Sequence, residues 1–586
     1  MSAADTPQAS QKSPRGKSAR APNRRRDSHP RGELARRRLL AGALLVVLVT
    51  AGVVLLIAGG NSSERALARR FVDAWQRGDY RAMYALVSDS TRQGVPLGSF
   101  RKTYRDAANT ATLIRHGIVA GRPGRLSGHA ITVDVRASTR IFGVVSGRVR
   151  LAFVGSDSHT RIAWSPEMAF PGLTQGQPLT RTTRLPPRAA ILARDGTALA
   201  SGPLRGSPLG ASALPAVGML GKPPAKRLRA LRAAGYPAGA RVGETGIEGA
   251  LEARLAGRPG GELLAGQRVL ASSRPQAAPP LRTTIDPRVQ RAAVVAIGSR
   301  LGGVVALNPR NGQVLAVAGI GTSERQPPGS TFKMVTLTGV LEARLATPRT
   351  KFPVQTEAKI EGVSLQNANG ESCGGTLAES FAQSCNSVFA PLGVKLGAKR
   401  LVEVAQRFGF NRAPGLPGAA TSTVPPKIPD ALAVGSSAIG QYQVDATALQ
   451  MAVVAATIAN AGQRPTPTFS LQGSPQLARA TDPRTARTVR ELMVGVVRHG
   501  TGTPAAIGGI VVAGKTGTAE LTSTNPNSKN STKPDPMNTD AWFAAFAPAR
   551  KPRIAMAIVL VKAGAGKQTA APAARSVLVA GLRARH

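Results

Sequence analysis

Ser330 and Lys333 stand three residues apart in Ser330-Thr331-Phe332-Lys333, a spacing that can make a nucleophile. Pro327-Pro328-Gly329 precedes them and the apolar run Met334 to Leu341 follows. That pattern predicts a stop and then a buried helix. Positions i and i+3 share a helix face, so the Lys333 amine is expected close to the Ser330 hydroxyl. A serine hydroxyl attacks poorly until a base takes its proton. None of the six histidines (His29, His116, His129, His159, His499, His586) lies at motif spacing, which leaves Lys333. Keeping an ordinary lysine neutral at pH 7 costs ~4.6 kcal/mol. Burial beside Met334 and Val335 and a neighbouring cation would both lower that cost.

Two further segments follow in order, Ser384-Cys385-Asn386 and Lys515-Thr516-Gly517-Thr518. The first is expected in a loop after a short helix over Thr376 to Gln383. The second ends an apolar strand that starts at Ile510. Lys515 is the candidate cation beside Lys333, and with the Thr516 hydroxyl it can hold a carboxylate. Gly517 has no side chain, so a substrate strand can lie against it.

The elements that must position these groups begin near Leu281. Thr284-Ile285-Asp286-Pro287 opens a helix, and Val304–Leu307 and Val314–Val317 flank the hairpin signal Asn311-Gly312. Ala541–Phe546 and Ile554–Val561 read as further strands. Glu520 to Asp540 is a polar insert with three prolines, expected as a mobile flap near the cleft or as a disordered loop.

The N-terminal part has its own pattern. Residues 39–60 carry no charge, and about 21 residues at 1.5 Å each cross a bilayer core. Arg36-Arg37-Arg38 precedes the run, so a single transmembrane helix is expected with residues 1–38 cytoplasmic and disordered and the rest outside. Ala68, Phe71, Val72 and Trp75 fall at i, i+3, i+4 and i+7, an amphipathic helix. Ile131, Val133 and Val135, and Val149, Leu151 and Phe153, alternate with polar residues as strands do.

The 586-residue chain has 77 Lys+Arg against 31 Asp+Glu, a net charge of +46. No zinc finger, RNA-binding aromatic motif or long basic helix accompanies that charge, which argues against nucleic acid. An exported basic protein meets anionic lipid head groups or an anionic wall polymer; Arg-rich, Ala-rich codon usage explains the charge equally well. No His-x-x-x-His or Cys-x-x-Cys spacing occurs, so no metal or cofactor is expected. Outside the membrane a disulfide can persist, and Cys373 and Cys385 are the only two cysteines, which makes a bridge pinning the second motif a hypothesis to test.

Ser330-x-x-Lys333, Ser384-x-Asn386 and Lys515-Thr516-Gly517 together resemble the three motifs of penicillin-binding proteins and class A β-lactamases. The long chain resembles a class B penicillin-binding protein, a membrane-anchored peptidoglycan D,D-transpeptidase. Residues 62–175, with Trp75-Gln76-Arg77-Gly78-Asp79-Tyr80 at their head, resemble an NTF2-like domain acting as a spacer. Arg188–Gly196 and Gly243-Glu244-Thr245-Gly246-Ile247-Glu248 place the family's pedestal, or dimerisation, domain at 178–280. Ala189 and Ala193 stand where the family prefers Gly and Asp.

The resemblance implies a multidomain α+β protein whose transpeptidase domain, 281–586, is an antiparallel sheet flanked by helices. It implies catalytic Ser330, Lys333, Ser384, Asn386 and Lys515, and substrate contacts at Thr516, Gly517 and Thr518. Ser384 would relay a proton to the leaving amine and Asn386 would orient the substrate backbone. The Ser330 and Thr518 N–H groups would form the oxyanion hole. Substrates would be D-Ala-D-Ala stem peptides, with β-lactams as covalent inhibitors and a membrane glycosyltransferase as partner. Gly440-Gln441-Tyr442 resembles the family's Gly-Gln-Gly loop with Tyr442 in place of Gly. A D,D-carboxypeptidase or β-lactamase is the first alternative, but the Glu-x-x-Leu-Asn loop of class A β-lactamases is missing. A non-catalytic penicillin sensor or divisome scaffold is the second, and the intact motifs argue against it.

Overall fold

The computed structural model describes residues 63–156, 159–521 and 538–584. The basic tail, the apolar run 39–60 and most of the polar insert lie outside the described residues. Among the described residues no helix is long and apolar enough to cross a membrane. The chain divides into two compact units. The first holds residues up to 97 with 120–134 and 150–164; the second holds 98–119, 135–149 and everything from 165 on.

The first unit opens on a helix over 63–77 that buries Ala68, Phe71, Val72 and Trp75, the stripe its spacing predicts. Asp79 caps the next helix, Tyr80–Ala85, by accepting from the Ala82 N–H at 2.9 Å. Ile131, Val133, Leu151 and Phe153 are buried, as alternation requires.

In the second unit, residues 188–252 hold a compact charge cluster. Arg188 bridges Glu248 at 2.6 Å and Glu252 at 2.8 Å, and Arg205 bridges Glu248 at 2.6 Å. Both glutamates are buried, so these pairs are what make their burial tolerable.

The remainder is built on one five-stranded sheet. In chain order its elements are α1 (Pro287–Ile297), β1 (Gly302–Leu307), β2 (Val314–Gly319), α2 (Lys333–Glu342), α3 (Leu377–Gln383), α4 (Asn386–Leu396), α5 (Ala448–Ala459), α6 (Pro483–His499), β3 (Ala513–Glu520), β4 (Thr539–Ala547), β5 (Ile554–Leu560) and α7 (Ala570–Arg583). The strand order is β2-β1-β5-β4-β3, antiparallel throughout, with β3 at an edge. Asp286 caps α1 by accepting from Arg288 and Val289, and Gly312 turns the β1–β2 hairpin at φ +73°.

Successive residues of the strands go to opposite cores. Val304, Phe543, Ile554, Met556 and Ile558 join α1 and α7 on one face. Val305, Trp542, Ala544, Ala555 and Ala557 join α2 and α5 on the other. The central strands are therefore apolar almost throughout, Thr539 and Asp540 of β4 excepted, rather than alternating. The small alanines of β5 face α5, which is buried over nearly its whole length and needs close approach.

The turn Gly329–Phe332 leads into α2, whose residues Lys333 to Val340 are all buried. Gly440 holds that turn in place: the Gly329 N–H donates to the Gly440 carbonyl at 3.0 Å. Gly440 has φ +78°, and a Cβ there would sit 2.1 Å from the Gly329 carbonyl oxygen. Gly440→Ala is expected to cost about 2–4 kcal/mol in urea unfolding, because strain and a backbone clash add. A change under about 0.5 kcal/mol would show that the two loops do not meet this way.

Candidate active site

The three motifs converge on Ser384. Lys515 Nζ donates to Ser384 Oγ at 2.8 Å and to the Thr516 carbonyl at 3.0 Å. Lys333 Nζ donates to the Ser384 carbonyl at 2.6 Å, to Asn386 Oδ1 at 2.6 Å and to Ser384 Oγ at 3.4 Å. One hydroxyl thus lies between two fully buried amines. Each amine also lies 5.6 Å from an aromatic ring centroid, Lys333 over Phe389 and Lys515 over Phe381.

Burial, and then the Lys515 charge, push the Lys333 amine well below the usual lysine range. Burial alone pushes Lys515 down to about 7.

Backbone strain sets this junction. Ser384 ends α3 in the left-handed region at φ 69°, ψ 36°, a conformation non-glycine residues seldom adopt. Thr376 and Glu379 form a capping box at the other end of α3. Cys385 forms a disulfide with Cys373, Cα atoms 5.8 Å apart, so the residue between Ser384 and Asn386 is tied to the strand Cys373–Thr376. Asn386 is held on its other side as well, donating from Nδ2 to the Gln366 carbonyl at 2.7 Å.

The nucleophile candidate differs in one respect from the sequence expectation. Ser330 is half-buried in the turn before α2, but its hydroxyl forms no hydrogen bond among the described residues, and Lys333 spends its donors on the second motif. Ser330 lies in the turn Gly329–Phe332 and Lys333 opens α2; the pull of Asn386 and Ser384 decides where the amine points.

Gly517 also serves in packing. A Cβ there would lie 2.8 Å from the Pro328 carbonyl and 3.0 Å from Thr331 Cγ2. Its missing side chain lets the Ser330 turn pack on β3. Thr518 Oγ1 accepts from the Gly566 N–H at 3.3 Å. Thr516 is buried, and its hydroxyl lies 2.5 Å from that of Thr501, a residue the motifs did not single out. Thr501 sits between Gly500 and Gly502 in the turn after α6, and only the polar residue between two glycines hints at it in the sequence. Among the described residues no group of His, Cys, Asp or Glu could hold a metal ion.

The disulfide closes a loop of about a dozen residues, so reduction is expected to cost about 2–4 kcal/mol. Urea unfolding with and without reductant measures this, and mass spectrometry of non-reduced digests should recover the linked peptide. Free thiols at both Cys373 and Cys385 would contradict the bridge.

Two protein families match the chain. The penicillin binding protein transpeptidase domain matches residues 302–579, and the penicillin-binding protein dimerisation domain matches 195–269. The peptidoglycan D,D-transpeptidase PbpA of Mycolicibacterium smegmatis is 35% identical over 412 residues, 58% of this chain and 80% of the relative. PbpA of Mycobacterium tuberculosis is 35% identical over 367 residues, 51% of this chain and 72% of the relative. The crystal structure of the M. tuberculosis protein superposes with a TM-score of 0.54 at 27% identity, covering 68% of this chain and all of that one. Its penicillin G acyl-enzyme complex gives 0.53 at 28%, again over 68% and 100%. With sheet, motifs and relatives in agreement, the chain belongs to the class B penicillin-binding proteins.

Proposed function

We propose that Ser330 is the acylated residue of this penicillin-binding D,D-transpeptidase, and that Lys333, Ser384, Asn386 and Lys515 are its proton-handling and orienting groups. The observation that carries this reading is the Ser384 hydroxyl between two buried amines. When Lys333 is neutral it has a lone pair to offer. Its contact to Ser384 Oγ is the longest of its three, 3.4 Å, and is the one to give up. With two hydrogens kept for the 2.6 Å acceptors, the lone pair left by the lost proton takes the Ser330 proton as Oγ attacks the carbonyl of the penultimate D-Ala. The N–H groups of Ser330 and Thr518 receive the oxyanion. As the tetrahedral intermediate collapses, the proton passes through Ser384 to the departing amine of the terminal D-Ala. The amine of a second stem peptide then attacks the Ser330 ester, releasing the hydroxyl and leaving a cross-link.

Lys515 and Thr516 hold the terminal carboxylate of the stem peptide, and the ring carboxylate of a penicillin in its place. Asn386 keeps one amide hydrogen for the substrate backbone while the other serves Gln366. Residues 62–175 form an NTF2-like spacer, supported by the helix over 63–77 and the buried alternation of Ile131 and Val133. The uncharged run 39–60 behind Arg36-Arg37-Arg38 supports a single membrane anchor with the catalytic domain outside. An enzyme that only cross-links needs glycan strands made by a membrane glycosyltransferase partner.

A fluorescent penicillin is expected to label the full chain as a stable adduct, lost in Ser330→Ala and slowed at least about a hundredfold in Lys333→Ala. Rapid turnover of the label would instead indicate a hydrolase, and undiminished labelling of Ser330→Ala would remove the nucleophile.

The second-order acylation rate should follow a bell in pH. On the acid side it rises as Lys333 loses its proton, at a pH well below the ordinary lysine range. On the alkaline side it falls above about 7 as Lys515 loses the charge that attracts the carboxylate. A rate that climbs steadily to pH 10 would contradict both assignments.

A further inference from the structure

Thr516 is 5% exposed, and among the described residues its hydroxyl has one hydrogen-bond partner, the Thr501 hydroxyl at 2.5 Å. Thr501 is itself fixed from behind. Its N–H donates to the Ala382 carbonyl at 3.0 Å, and its Oγ1 lies 3.4 Å from the same oxygen. A Cβ on the preceding Gly500 would lie 2.3 Å from that carbonyl, so the turn and α3 are in direct backbone contact. Ala382 stands two residues before Ser384. The turn therefore ties the third motif to the helix that delivers the second.

The chemistry of the hydroxyl pair depends on which oxygen donates. Each hydroxyl carries one hydrogen and accepts through two lone pairs. If Thr516 donates to Thr501, its hydrogen is turned away from any ligand. If Thr501 donates to Thr516, the Thr516 hydrogen is free to point at an anion, and the donation it receives strengthens the one it makes. A carboxylate selects the second arrangement, because only then does it gain a donor. Thr501 has an alternative acceptor in Ala382, at a poor 3.4 Å, so little holds its hydrogen back.

We propose that Thr501 is a positioning residue for anion recognition: its hydroxyl donates to Thr516 Oγ1 and so presents the Thr516 hydrogen to the carboxylate of the substrate or of a β-lactam. The proposal rests on the reading that Thr516 contacts that carboxylate. It places part of substrate selection in a turn outside the three motifs. Selectivity for a free carboxylate over its ester or amide is the property that turn controls.

The test compares acylation of the full chain by benzylpenicillin and by its methyl ester, which has no carboxylate. Thr501→Val and Thr501→Ala are each expected to slow acylation by benzylpenicillin about tenfold, the equivalent of about 1.4 kcal/mol. Acylation by the ester should change less than about twofold. Thr501→Ser, which keeps the donor, should restore the wild-type preference to within about threefold. Equal slowing of acid and ester in both deletions would mean that Thr501 only supports the fold, and would overturn the proposal. Thr516→Val separates the two levels. If it leaves the acid-to-ester ratio unchanged, the reading of Thr516 itself fails. If it abolishes the preference while both Thr501 deletions retain it, only the role of Thr501 fails.

Discussion

Two lysine side chains with no exposed surface, meeting at one serine hydroxyl, are the constraint around which the catalytic half of this protein is arranged. A buried ammonium without a carboxylate is costly. Among the described residues neither Lys333 nor Lys515 has an acidic partner; their compensation comes from carbonyls, hydroxyls, one amide oxygen and two aromatic faces. For Lys515 the fall from 10.5 to about 7 corresponds to roughly 5 kcal/mol of disfavoured charge. That cost is borne by the surrounding fold, and the Lys515 charge in turn helps burial to push the Lys333 amine below the usual lysine range.

The surrounding elements read as devices for keeping the junction fixed. The left-handed Ser384 turns its side chain out of α3 while the disulfide at Cys385 ties the next residue to a strand. The packing of Pro328 and Thr331 on Gly517 locks the Ser330 turn to β3. The two-sided sheet carries β3 at its edge, where one side of its backbone is left unpaired by strands among the described residues. Strain and close packing gather at this site, as expected where geometry is held for chemistry rather than for stability.

Much of this was legible in the chain because the signals are local. Ser330 and Lys333 declare themselves by spacing, the β1–β2 hairpin by Asn311-Gly312, and α1 by Asp286-Pro287. The unreadable parts depend on residues far apart in sequence. The amine of Lys333 turns to Asn386, 53 positions on, rather than to Ser330. Thr501 meets Thr516 only because α6 ends beside α3. Gly517 also packs against Pro328 and Thr331, from a turn nearly two hundred residues earlier, which its own neighbours in sequence do not announce. The left-handed backbone of Ser384 has no sequence signal at all, since serine is uncommon there.

The ionisation of the two amines can be read directly. Full-length protein carrying lysine labelled at the ε-carbon, titrated by NMR, should show two lysine resonances that change well below the ordinary value near 10.4. One should vanish in Lys333→Ala and the other in Lys515→Ala, and removing either lysine should shift the titration of the one that remains. If every lysine instead titrated near 10.4, both amines would be charged at neutral pH, and a neutral Lys333 acting on Ser330 would be ruled out.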